Sequence, residues 1–222
     1  MAYLSKSLVP GVGIRRAERG DAIEIARLFL ISSDGLAAYI WGDQADAGQS
    51  LEEIGAGRYA RQGVAFSYQN CLLATRDQEI LGMIHAFPMP ERAPGDVETD
   101  PVLRPYAELE DPGSLYISSL AVHAPYRRHG VGEGLLEGAH ALALRRALPR
   151  LSLICFERNA TARAFYARRG FRVVDRRRIV PHPALHCRDG DALLMVCPAG
   201  ARAAASRTAR PDGDAHYGGL RS

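Results

Sequence analysis

The sequence lacks any long hydrophobic run. No apolar stretch approaches the roughly 20 residues of a membrane helix, and the N-terminus has no apolar signal-peptide core, so a soluble, cytoplasmic protein is expected. Cysteine is also scarce. Cys71, Cys155, Cys187 and Cys197 form no C-x-x-C pair, and three of them sit in apolar or strand-like surroundings, which predicts buried free thiols rather than disulfides. A dominant charge is missing too: 28 basic against 25 acidic side chains leave a formal charge of +3, too mild to imply nucleic acid. Arg145, Arg146 and Arg150, and Arg176 to Arg178, do cluster, but no aromatic residue interleaves with them. The first group reads as cations at a helix C-terminus and the second as a solvated edge, so neither nucleic acid nor membrane is an expected partner. No internal repeat appears.

What is present suits one globular unit. A chain of 222 residues with 47% hydrophobic content can bury a single good core. Residues 1–12 read as a leader and residues 13–198 as the domain. Residues 199–222, poor in large apolar side chains and rich in Ala, Arg, Gly and Asp, read as a mobile tail.

Along the domain, Ile14 to Ala17 suggests a short strand, and Asp21 a cap for a helix running to about Ser32. The loop after it holds Asp34, Tyr39, Asp43, Asp46 and the only tryptophan, Trp41. Ser50 and Glu53 have capping-box spacing, opening a helix to about Arg61. Asn70 to Thr75 and Glu79 to Pro88 form strand patterns around a tight turn at Arg76-Asp77-Gln78. From Glu91 to Gly113 the chain is proline-rich and irregular, with one helical turn expected near Tyr106 to Leu109. It carries Glu91, Asp96, Glu98, Asp100, Glu108, Glu110 and Asp111 against Arg92 and Arg104.

The stretch from Leu115 to Phe171 organises the rest. Leu115 to Val122 is an apolar, β-branched run that Pro125 ends. Arg127-Arg128-His129-Gly130-Val131-Gly132 follows, and then Val131, Leu135, Leu136, Ala139, Leu142 and Ala143 recur at helical spacing to about Leu148. A strand feeding a glycine-containing basic loop into a helix start is an anion cradle, because the first helical amides lack internal partners and sit at the positive end of the dipole. Gly130 and Gly132 let an anion approach the backbone, and Arg127 and Arg128 add donors suited to phosphate oxygens. The spacing fits neither a Walker loop nor a dinucleotide fingerprint. Further on come strands at Leu151 to Phe156, Phe171 to Val180 and Ala192 to Cys197. Between the first two lies a short helix capped by Asn159 or Thr161 and closed by Gly170 in a left-handed conformation.

Arg127-x-x-Gly130-x-Gly132 matches the Q/R-x-x-G-x-G/A signature of the GCN5-related N-acetyltransferases, the GNAT superfamily, and Leu120-Ala121-Val122 resembles its central strand. The segment from Asn159 to Phe171 resembles the family's N-x-x-A-x-x-F-Y-x-x-x-G-F element, which includes Ala162. The resemblance implies an α/β fold, a twisted mixed sheet splayed between its fourth and fifth strands and flanked by helices. It implies an N-acetyltransferase that takes acetyl-CoA as acyl donor and needs no metal, with room for a homodimer. The pyrophosphate would rest on the amides from Arg128 to Gly132, and the pantetheine would pair with the backbone of Leu120 to Val122 and with Asn159.

Tyr166 is the residue expected to assist catalysis, because attack by an amine on a thioester expels a thiolate that a phenol can protonate. With Phe165 in the core, the adjacent Tyr166 would aim at the donor. No position inherits the role of general base. His182, His186 and Cys187 suggest a metal by composition alone, but Pro181 and Pro183 deny the histidines a shared helix face. The acidic loop, with Trp41 or Tyr39 as a cation–π partner, points to a cationic small-molecule amine as acceptor. A protein amine is the competing acceptor, and an acyl-CoA-binding module without turnover is the alternative of another class.

Overall fold

The computed structural model describes residues 10–42 and 48–200. Most of the leader and tail, together with Asp43 and Asp46, lies outside the described residues. In chain order the elements are β1 (Gly13–Arg16), α1 (Ala22–Ser32), α2 (Leu36–Gly42), α3 (Leu51–Tyr59), β2 (Cys71–Arg76) and β3 (Glu79–Pro88). They continue with α4 (Arg104–Ala107), β4 (Leu115–Val122), α5 (Val131–Arg145), β5 (Arg150–Phe156), α6 (Ala160–Ala167), β6 (Arg172–Arg178) and β7 (Asp191–Pro198). The strands form one mixed sheet in the order β1-β2-β3-β4-β5-β7-β6, antiparallel except for the parallel pair β4–β5.

Local chemistry accounts for most boundaries. Asp77 (φ 48) and Gln78 (φ 70) both occupy the left-handed region, so the β2–β3 turn has the twist that suits a two-residue hairpin. Ser50 Oγ accepts from the Glu53 amide at 3.2 Å while Glu53 Oε2 accepts from the Ser50 amide at 2.9 Å, the reciprocal cap that starts α3. Asp21 behaves differently from expectation. It stands at the N-cap of α1, but its carboxylate takes two N–H groups of Arg15, at 2.7 and 2.9 Å, and the Glu18 amide at 2.7 Å. A charged bidentate partner outcompetes the helix amides.

Two large cores flank the sheet, and a third, smaller cluster gathers Leu109, Phe156, Ile179, Ala192 and Leu194. The stripe of α5 (Val131, Leu135, Leu136, Ala139, Leu142, Ala143) is buried against Leu81, Ile84, Leu115, Ile117, Leu153 and Met195 on one face. On the other face Ile25, Leu28 and Phe29 of α1 pack with Trp41, Tyr59, Leu73 and Met83. The segment read as a loop after α1 therefore contains a helix, α2, and its tryptophan is a core residue. Trp41 is 2% exposed and stacks on Phe29 with ring centroids 5.6 Å apart. The cores extend one residue into the predicted tail, since Ala199 is buried and its carbonyl accepts from His140 Nδ1 at 3.1 Å.

The feature that positions the site is a fork. β4 and β5 pair only from Leu115 to Ile117 with Leu151 to Leu153, although both strands run on. Pairing stops where β4 bulges: His85 faces Ser119 and Ala86 faces Ile117, so Ser118 has no partner on β3. The extra residue twists the strand and reverses its alternation. Leu115 and Ile117 point to the α5 core, and beyond the bulge Leu120 and Val122 pack there too, while Ala121 joins the opposite core.

Candidate active site

The open edge of β4 follows from its pairing. The His123 amide bonds to Leu81 O across β3 at 2.9 Å, so by alternation the backbone groups of Val122 and Leu120 turn toward the fork. One of them is already engaged: Arg127 Nε donates to Val122 O at 2.9 Å. Arg127, expected as a phosphate donor, is thus a brace across the loop, with only its two terminal nitrogens free of that contact.

The loop that follows is the Gly-containing, basic strand-to-helix connection of the motif. After a 3-10 turn at Ala124–Tyr126, Arg128 (φ 66) and Gly130 (φ 77, ψ −8) take left-handed backbone conformations and deliver the chain into α5. Among the described residues, no backbone carbonyl accepts from the amides of Arg128, His129, Gly130, Val131 or Gly132. Arg128 and His129 are exposed, whereas the Val131 side chain is buried and offers the loop only its amide. Gly132 faces inward: a Cβ there would lie 3.6 Å from Phe165 Cζ and 3.7 Å from Val122 Cγ2. A Cβ would fit beneath Phe165 at ordinary contact distance, so what glycine contributes here is a bare backbone.

Helix α6 covers the far side. Asn159 Oδ1 accepts from the Ala162 amide at 3.0 Å, so Asn159 is the cap and Thr161 lies inside the helix. The cap consumes the Ala162 N–H, which removes Ala162 as a backbone donor, and leaves Asn159 Nδ2 without a partner among the described residues. Gly170 (φ 87) closes the helix in the left-handed region as predicted.

The expected division of the two aromatics is not found. Both rings are half-buried at the margin of the α5 core: Phe165 lies under the Arg169 guanidinium at 3.8 Å, and Tyr166 meets Phe165 and Phe171 edge-on at 5.2 and 5.5 Å. Burial pushes the Tyr166 hydroxyl well above the usual phenol range, the nearby Cys155 thiol adding to the effect, so Tyr166 is protonated at neutral pH. No hydrogen bond engages its hydroxyl among the described residues.

The opposite wall is less legible in sequence. Ser32 Oγ, at the end of α1, is 2.6 Å from Ser119 Oγ, just past the bulge. Two residues on, Asp34 (φ 54) turns the chain, and its carbonyl accepts from the His186 amide at 3.0 Å. Tyr39 donates to Asp100 at 2.8 Å and packs edge-on against His182 at 4.5 Å. Tyr106, from α4, packs on Phe156 with its buried hydroxyl unpartnered among the described residues. His182 and His186 lie on a loop, as Pro181 and Pro183 require, and among the described residues no group of three His, Cys, Asp or Glu is placed to hold a metal ion.

The acidic loop carries less free charge than its composition suggests. Asp111 is clamped by Arg150 at 2.6 and 2.7 Å, Glu108 by Arg177 at 2.9 Å and Glu110 by Arg92 at 2.8 Å. The same pairs engage two arginines of the basic clusters. Trp41, being buried, is unavailable for cation–π contact. The bulge at Ser118 was foreshadowed only by two serines interrupting an apolar strand. Nothing local marked His186 or Tyr106 as neighbours of Asp34.

A family model described as "Acetyltransferase (GNAT) family" matches residues 39–171, more than half of the chain. No curated protein matches the chain. Among solved structures, an acetyltransferase is 20% identical, with a TM-score of 0.58, covering 84% of this chain and 98% of its own. A GNAT family acetyltransferase from Elizabethkingia anophelis with acetyl-CoA bound is 18% identical, with a TM-score of 0.53 and coverage of 86% and 99%. The PaiA N-acetyltransferase from Thermoplasma acidophilum in complex with coenzyme A is 17% identical, with a TM-score of 0.51 and coverage of 84% and 98%. Among the described residues no helix is long and apolar enough to cross a membrane. With its forked mixed sheet, its strand–loop–helix element from Leu115 to Arg145 and a family match spanning both, the chain belongs to the GNAT acetyltransferase family.

Proposed function

We propose that the protein transfers an acetyl group from acetyl-CoA directly to a primary amine, and that the acceptor is a small cationic molecule. The observation that carries this reading is the β4–β5 fork, open beyond Ile117, with the unpaired α5 amides at its end. The amides from Arg128 to Gly132 suit the pyrophosphate, with Arg128 as a charged donor. The Leu120 backbone suits the pantetheine as an added strand, and Asn159 Nδ2 is free to donate to one of its carbonyls. Two structural neighbours bound to acetyl-CoA and coenzyme A support the choice of donor. Tyr166, protonated and free of other partners, is suited to protonate the departing thiolate.

The acceptor class rests on Asp34 and Asp100. Both lie beside Tyr39 or the β6–β7 loop, and among the described residues no arginine neutralises them. Carboxylates without an arginine partner attract ammonium groups and raise their encounter rate. Thiol release from acetyl-CoA, followed with spermidine, cadaverine, kanamycin, a free-N-terminus peptide and glutamate as acceptors, tests the reading. Cationic amines should react fastest, with kcat/KM falling as salt rises. Preference for glutamate or the peptide removes the acceptor class, and absence of thiol release with every amine makes the protein a binding module.

A further inference from the structure

The transferase reading leaves one step without a residue: an acceptor amine is an ammonium at neutral pH and must lose a proton before it can attack. Asp34, on the turn between α1 and α2, is a candidate to take it. Its backbone is held at φ 54 by the loop between β6 and β7: the His186 amide donates to its carbonyl, and Ala184 O lies only 2.1 Å from where a Cβ on Gly35 would be. Gly35 can therefore only be glycine, and the turn carrying Asp34 is wedged in place.

The wedge fixes the turn that carries the carboxylate. Asp34 lies two residues beyond Ser32, which touches Ser119 at the fork. The titratable groups around it come from three elements: His186 and Cys187 from the β6–β7 loop, Tyr106 from α4 and Cys155 from β5. Cys155 lies two residues past the last β4–β5 pair and is within electrostatic reach of both Asp34 and Tyr166. Asp34 is tied to the β4 side of the fork through the Ser32–Ser119 contact two residues before it, and Tyr166 comes from α6, which packs on β5. The Asp34 side chain is only 27% exposed, yet its one ionic partner among the described residues is His186, at 3.5 Å, whose side chain is 73% exposed. A half-buried carboxylate backed by a solvent-facing imidazole can take a proton and pass it out. Burial also raises the Asp34 pKa, against the opposing pull of His186, which brings the carboxylate closer to a working base.

We propose that the Asp34 carboxylate binds the acceptor's ammonium and takes its proton, and that His186 carries that proton to solvent. This rests on the transferase reading above. One ammonium N–H bond breaks and its proton moves to an Asp34 oxygen. The freed lone pair forms a C–N bond to the thioester carbonyl carbon as the C–S bond breaks. The sulfur leaves with the bonding electrons and takes the Tyr166 proton. The surplus proton on the new amide nitrogen returns to the Tyr166 oxygen, and the Asp34 proton leaves through His186. The balance is one amide, one free thiol and one proton released.

Asp34→Asn tests this without disturbing the turn, because asparagine tolerates the left-handed backbone. With cadaverine as acceptor, kcat/KM at pH 7 should fall about 10²–10⁴-fold, as for loss of a general base. The deficit should shrink as pH rises toward the amine's own pKa, where neutral cadaverine supplies itself. Trifluoroethylamine, a weakly basic amine largely neutral at pH 7, should be little affected. His186→Ala should slow turnover and be rescued by added imidazole. Thermal stabilisation by acetyl-CoA should be unchanged in both variants, and confirms their folding. An Asp34→Asn enzyme of parental rate at pH 7, or one impaired equally at every pH and with both amines, overturns the proposal while leaving the transferase reading intact. A parent chain that acetylates no amine overturns both.

Discussion

Gly130 and Gly132 stand two residues apart in the same signature, yet alanine at each should move stability in opposite directions. Gly130 has φ 77, a conformation that costs an L-residue about 1–2 kcal/mol. Alanine also narrows the unfolded ensemble, which returns about 0.4–1 kcal/mol. The net expectation for Gly130→Ala is a loss of about 0.5–1.5 kcal/mol. Gly132 lies in the first turn of α5 at a negative-φ position, and a Cβ there meets Phe165 and Val122 at ordinary contact distances of 3.6 and 3.7 Å. Without a clash, only the helix propensity of alanine remains, up to about 1 kcal/mol in its favour. The two variants should then differ by about 1–2 kcal/mol, which for a domain of this size separates their melting temperatures by about 2–8 °C. Calorimetry of the apo variants reads the difference directly.

A donor arm adds the functional half. Acetyl-CoA at a hundred times its Kd should stabilise the parent by about 2.7 kcal/mol. Gly130→Val, which puts a branched side chain into the cradle, should lose most of that shift. Shifts of the same sign in the two alanine variants would refute the conformational argument. An unchanged acetyl-CoA shift in Gly130→Val would refute the placement of the pyrophosphate.

Tyr166→Phe should lower kcat by about 10²–10⁴-fold and leave acetyl-CoA stabilisation near parental, since the hydroxyl acts only on the leaving thiolate; full activity at saturating substrate would reduce Tyr166 to a packing residue. His85 should make the fold acid-sensitive. It is fully buried among Phe29, Tyr59, Phe66 and Phe87, with Nε2 3.0 Å from Ala65 O, and burial lowers its pKa from 6.5 to about 4. Below pH 6.5 the unfolded chain binds a proton that the folded chain refuses, so stability is full above that pH and falls by up to about 3 kcal/mol as pH drops to 4. Urea midpoints across that window check it, and a pH slope unchanged in His85→Leu would show that other groups dominate. For Asp34 the sign works against the charged fold, because burial raises its pKa and stability declines as pH rises through it. Asp34→Asn should therefore melt no lower than the parent at pH 7, a trade of stability for activity that calorimetry can measure.

Sequence alone determined the features that depend on neighbours within a few residues. The α5 stripe, the Ser50–Glu53 box, the β2–β3 turn and the left-handed Gly170 are each set by local periodicity or by one residue's backbone preference. The order of strands and the fork position were legible because the Arg127-x-x-Gly130-x-Gly132 motif anchors them to a known pattern.

Tertiary structure decided everything that depends on which distant charge or ring arrives beside a given side chain. Asp111 meets Arg150 across 39 positions and Glu108 meets Arg177 across 69, so distant arginines offset two of the five net negative charges of the acidic loop. Trp41, read from the sequence as a loop residue able to hold an ammonium, is buried because Gly55 of α3 leaves room for its ring. Asparagine at 159 resolved into the helix cap because its oxygen, and not that of Thr161, faces the Ala162 amide. Asp34 and His186, 152 residues apart, form a pair only because Gly35 admits the β6–β7 backbone at a distance no Cβ would allow. Periodicity reports which face of an element is apolar, but a long-range pair is set by how the elements pack, and the chemistry of this site is made of such pairs.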